Sequence, residues 1–202
     1  MSFEQFLEQV AAKGEAVNLM FEERLFNLVG ILQRIAGPLS AAKIPYEVIG
    51  GLAVLIYVEE SDPTQSVLTR DVDILIRRSD LDLVVGAAQT HGFRFRHVAG
   101  VDMLLYGDKA ASAVHLVFTG EKVKPSQTVA NPDVAPQLKV ISGHEVWVIP
   151  IADLVRMKLS ANRDKDRVHI RSLDAAHLIT PEIELGLPDL LKARLHYVRE
   201  TE

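Results

Sequence analysis

The sequence predicts an α+β fold: a mixed β-sheet with helices on one face and a C-terminal helical segment. Two observations carry this. Helical periodicity occupies the first forty and the last fifty residues, while short β-type runs bounded by glycine and proline fill the middle. The 202 residues are 48% hydrophobic, enough for a sizeable core in one domain or in a domain with a small helical cap. The expected division is 1–43 as N-terminal helices, 44–150 as the sheet-bearing core, and 151–202 as a helical segment packed on it.

Taken in order, 2–12 and 19–43 read as helices, with Phe21, Leu25, Leu28, Ile31, Leu32 and Ile35 at helical spacing. Gly37-Pro38 is expected to break or kink the second. Tyr46–Ile49 reads as a strand and Leu52–Val58 as a short buried helix, followed by a loop, Glu59–Leu68, containing Asp62-Pro63. Asp71–Ile76 is the next strand. Ser79 and Asp82 resemble a capping box for a helix over 80–91, with Gly92 closing it. Phe93–His97, Met103–Tyr106 and Ala113–Phe118 read as strands, the last two joined by a turn at Gly107-Asp108. The three prolines in 120–140 predict a long loop or extended arm. Glu145–Ile149 reads as a strand, Ile151–Ala161, Asp166–Leu178 and Asp189–Arg199 as helices.

Bulk properties exclude several classes. A net charge of −5 argues against dominant sequence-independent nucleic-acid binding, which rests on many Lys and Arg contacts. With no cysteine, disulfides and thiolate metal sites are impossible. No secretory signal follows Met1, and no apolar run reaches the roughly 20 residues of a membrane span, so a cytoplasmic location without membrane partners is expected.

The chemistry concentrates in two places. Gly50-Gly51 ends the run Tyr46–Ile49 at the mouth of a helix, where exposed amides receive phosphate. It lacks the third glycine of a dinucleotide fingerprint and the Lys of a P-loop. About twenty residues on, Asp71 and Asp73 stand at i, i+2 on a strand and so share a face. Val72, Ile74 and Ile76 take the other. Phosphate cradle plus paired carboxylates is the minimum kit for a nucleoside triphosphate with Mg²⁺.

This series of apolar strand, Gly-Gly, short helix, spacer and Asp-x-Asp resembles the DNA polymerase β-type nucleotidyltransferase superfamily. It is most like the small prokaryotic members, including those of toxin–antitoxin and abortive-infection systems. The likeness runs from Ile44 to about Leu173. It implies a nucleotidyltransferase-like sheet, Mg²⁺ or Mn²⁺ on Asp71 and Asp73, and triphosphate on Gly50 and Gly51. It also implies transfer of a nucleoside monophosphate to an acceptor such as RNA or protein. The family's third carboxylate falls where this chain has His115, within Ala113–Phe118. Three readings follow: His115 is the general base, it is a nitrogen ligand, or the site has decayed into a module that binds nucleotide or a partner protein without turnover. The family's basic helical segment matches Lys158 and Arg163-Asp164-Lys165-Asp166, which puts Lys158 and Arg163 at the triphosphate or at a polyanionic acceptor, while Arg156, two residues away on the helix, points elsewhere. His169 replaces a further acid expected in that stretch.

Overall fold

The computed structural model describes residues 2–107, 113–141 and 143–201. One 39-residue helix, α1 (Phe3–Ala41), opens the chain. It corrects the expected pair of helices. Gly14 costs only about 1 kcal/mol relative to Ala inside a helix, too little to stop it among good helix formers. Pro38 cannot donate to the Arg34 carbonyl, yet α1 continues through it for one more turn to Ala41 before it ends. A capping box starts α1: Ser2 Oγ accepts from Gln5 N at 3.2 Å, and Gln5 Oε1 accepts from Ser2 N at 2.9 Å.

Then come β1 (Glu47–Ile49), α2 (Gly50–Ser61), β2 (Val72–Ile76), α3 (Leu81–Gln89), β3 (Phe93–Val98), β4 (Val101–Tyr106) and β5 (Ala113–Phe118). After these follow β6 (Gln137–Ile141), β7 (His144–Val148), α4 (Ile151–Ala161), α5 (Asp164–Ala175), α6 (Pro181–Leu185) and α7 (Asp189–Glu200). The capping box expected before α3 is absent; Asp80 is the N-cap and makes no side-chain cap bond. The expected turn at Gly107-Asp108 falls partly outside the described residues; Gly107 has φ +67°.

The sheet has seven strands in the order β3-β4-β5-β2-β1-β7-β6. Pairs β2–β5 and β1–β7 are parallel and the others antiparallel, which makes the sheet mixed. Strand β6 lies in the stretch read as loop. It sits at the sheet edge with Leu138 and Val140 exposed, and its alternation spans only four residues after Pro136, too few to mark a strand in a proline-containing stretch. Its pairing to β7 comes from tertiary contact.

Val72, Ile74 and Ile76 are fully buried, with α1 and α3 packed together on the sheet. Helices α2, α4, α5 and α7 pack on one another beside it. The segment 119–136 is tied back over the sheet: Asn131 Nδ2 donates to the Phe118 carbonyl at 2.9 Å, and Val129 N to Ser160 Oγ at 3.0 Å. Ala135 N donates to Glu47 Oε1 at 2.5 Å.

Glu47 makes a pH prediction. It is fully buried, its Oε2 has no partner, and burial pushes its carboxyl up to about 7 despite the Ala135 bond. A raised folded-state value stabilises below the unfolded value of 4.5 and is lost as pH rises through about 7. Glu47→Gln keeps the acceptor for Ala135 and removes the titration. The variant therefore becomes the more stable protein by on the order of 3 kcal/mol between pH 5 and pH 8. Paired melting curves across that range check it; a difference independent of pH overturns it.

Candidate active site

The site is built where β1 turns into α2 against the start of β2. Ile49 pairs with Asp73, and Asp73 with His115 on β5, so three adjacent strands align these residues in one row. Gly50 has φ +73°, and a Cβ there would lie 2.1 Å from Asp73 Oδ2. Gly51 is equally constrained: a Cβ would meet Thr69 Oγ1 at 2.4 Å and His169 Cε1 at 3.3 Å. Both glycines are thus required by side chains that crowd the turn. Ile49 caps α2 without a side-chain bond, which leaves the amides of the first turn free of a side-chain acceptor.

Asp73 is partly exposed, and its Oδ1 lies 3.0 Å from His115 Nδ1. That hydrogen bond, helped by the charges of Asp73 and Asp71, raises the His115 pKa against the opposing effect of its burial. Asp71 stands one residue before β2, on the same cleft.

The basic residues come from α4 and the turn into α5. Asp166 is fully buried and is held by Arg163 through Nε at 2.6 Å, Nη2 at 3.1 Å and the backbone N at 3.2 Å. Lys158 Nζ approaches it at 3.4 Å. Burial alone would raise the Asp166 pKa, yet Arg163 and Lys158 bring it below its usual value. Lys158 is only 5% exposed; burial lowers its pKa, while Asp166 and Asp73 oppose the shift. Arg163 also feels the charge of Asp73. Arg156 turns to Asp153 at 3.1 Å, away from this group. His169 is buried with Nδ1 unpartnered, and burial lowers its pKa to about 4, so it is neutral at pH 7.

All seven residues singled out from the sequence (Gly50, Gly51, Asp71, Asp73, His115, Lys158 and Arg163) line one cleft of about 760 Å³. Thr69 lines it too. No pattern signals Thr69, because its approach to Gly51 depends on how the spacer returns to β2. Among the described residues no three histidine or acidic side chains converge to hold an ion by themselves. Two carboxylates with open positions suit Mg²⁺, which is bound by one or two carboxylates and completes its octahedron with waters and substrate phosphates.

No protein-family model matches the sequence, and no curated relative matches it. Solved structures do resemble the fold. An antigenic nucleotidyltransferase-like protein from Paracoccidioides brasiliensis superposes with TM-score 0.57 at 17% identity, over 87% of this chain and 88% of that one. ANT(2")-Ia in complex with adenylyl-2"-tobramycin gives 0.55 at 13%, over 85% and 97%. The Megavirus polyadenylate synthase gives 0.54 at 10%, over 89% of this chain and 39% of that one. The fold is nucleotidyltransferase-like, an α+β architecture with a seven-stranded mixed sheet. Among the described residues no helix is long and apolar enough to cross a membrane.

Proposed function

We infer that the protein is a metal-dependent nucleotidyltransferase, moving a nucleoside monophosphate from an NTP to an acceptor and releasing pyrophosphate. The observation that carries this is the register Ile49–Asp73–His115, which sets the carboxylate pair against a glycine turn at the N-terminus of α2. Asp71 and Asp73 hold Mg²⁺ or Mn²⁺. A divalent ion held there would supply charge neutralisation for the triphosphate and acidity at the acceptor oxygen. The amides of Gly50 and Gly51 and the helix N-terminus receive phosphate. Arg163, oriented by Asp166, adds a fixed cation beside Asp73. Lys158 supplies positive charge from within the wall. His115 binds Asp73 through Nδ1 and leaves Nε2 for the acceptor side.

One observation favours a second reading, a nucleotide- or protein-binding module such as a toxin–antitoxin component. His115 occupies the third-carboxylate position and is already engaged with Asp73 at 3.0 Å. Purified protein with α-labelled NTPs, Mg²⁺ or Mn²⁺, and RNA or protein acceptors decides between them. Label transferred to an acceptor and abolished by EDTA is the expected result. Nucleotide binding without transfer to any acceptor supports the module instead.

A further inference from the structure

Besides the glycine turn and the Asp166 cluster, the cleft has a second wall, made by the β3–β4 hairpin and the start of segment 119–136. Its two acids are neutralised internally. Arg78 clamps Glu121 through two nitrogens and reaches Asp102 at 3.5 Å, while its guanidinium lies 3.5 Å over the Phe118 ring. Asp102 also holds His97 Nδ1 at 2.5 Å. Lys122 and Lys124, by contrast, have no acidic partner among the described residues, and both are exposed. Val98 and Val123, 55% and 56% exposed, line the same cleft.

The charge balance is local to the cleft. Seven Lys and Arg against five acids line it, in a chain whose net charge is −5. The remainder of the protein is therefore acidic, and the cleft focuses anions rather than cations. An amine-rich acceptor, such as the tobramycin held by one structural neighbour, needs free carboxylates. Among the described residues of the cleft, Asp71 has no ion-pair partner and Asp73 has only His115 Nδ1 at 3.0 Å, and these two are the carboxylates that the proposed ion uses.

We propose that this wall is the acceptor subsite and that the acceptor bears phosphate: a nucleotide, or the end of a nucleic-acid strand. This rests on the nucleotidyl-transfer reading and specifies its second substrate. Lys122 and Lys124 contact the acceptor's phosphates, and Val98 and Val123 support the face of a base. The acceptor hydroxyl oxygen forms a bond to the α-phosphorus of the NTP. The bond from that phosphorus to the bridging oxygen breaks, pyrophosphate leaves with the electron pair, and the hydroxyl proton passes to water.

The test uses the full chain and the exposed double substitution Lys122→Glu/Lys124→Glu. Binding of a fluorescein-labelled eight-nucleotide single-stranded RNA is read by anisotropy, with AMP and kanamycin as competitors. Mg²⁺–NTP binding is read separately by calorimetry. The substitution is expected to weaken RNA or AMP binding at least about tenfold and to leave NTP affinity within about twofold. Competition by AMP at concentrations like those of the oligonucleotide identifies a small nucleotide as the source; binding of RNA alone identifies a strand. Equal binding by both proteins, no binding of either probe, or displacement by kanamycin overturns the subsite. Absence of Mg²⁺–NTP binding in the unsubstituted protein sinks the transfer reading instead, and does so whatever the RNA result.

Discussion

Replacing Asp71 and Asp73 together by Asn is expected to abolish divalent-dependent nucleotide binding and to lower transfer by at least about a thousandfold. A metal's electrostatic stabilisation is worth several kcal/mol, and each 1.36 kcal/mol is a factor of ten in rate. Stability should change little. Asp73 is partly exposed, among the described residues it bonds only His115, and Asn keeps both the shape and an acceptor for Nδ1. A melting temperature near that of the parent with a silent calorimetric titration is therefore the diagnostic pair of results. Retained Mg²⁺–nucleotide binding in the double variant removes the metal role. The converse change, His115→Asp, places a third carboxylate opposite Asp73 in the β2–β5 register, and Mg²⁺ affinity should rise, since a hard cation prefers carboxylate oxygen to imidazole nitrogen.

The parts of the site that can be read from the sequence follow from local periodicity. The i, i+2 spacing places Asp71 and Asp73 on one strand face whatever the strand pairs with, and the apolar run before Gly50 marks the strand-to-helix turn. The pairing of Asp73 with His115 depends on register between strands 42 residues apart; only the likeness of Ala113–Phe118 to a family segment suggested it. The Asp166 group shows what a charge pattern conceals. Arg163, Asp164, Lys165 and Asp166 look alike as a solvated run. Yet Asp166 is fully buried, whereas the Asp164 side chain is 95% exposed. Burial there depends on α5 packing against α2 and α4, contacts that no local window contains. The continuity of helix α1 across Gly14 is hidden for a simpler reason: a glycine flanked by helix formers is a weak stop, whereas Pro38 does precede the end of the helix at Ala41 by three residues. Strand β6 alternates only over Gln137-Leu138-Lys139-Val140, directly after Pro136 and at a sheet edge, too short a run to stand out from a proline-containing loop.

Asp166 is accordingly where a single substitution should cost most in stability. Asp166→Ala leaves the Lys158 ammonium, 5% exposed, without its nearest anion, and removes three bonds to Arg163. Breaking a buried pair by deleting one partner typically costs about 3–5 kcal/mol, because the remaining charge stays desolvated. Lys158→Met should cost less than the Asp166 change, since Arg163 still compensates the carboxylate. Adding Lys158→Met to Asp166→Ala should recover most of the loss by removing the stranded ammonium, a coupling that a double-mutant cycle in denaturant measures directly. Function separates from stability in the same set. In Asp166→Ala, Arg163 loses the clamp that orients it beside Asp73, so nucleotide affinity falls even at temperatures where the variant is fully folded. The Asp166→Ala loss staying below about 1 kcal/mol, or the two changes being simply additive, would mean that Lys158 and Asp166 do not act as a buried pair and that Arg163 owes its position in the cleft to something else.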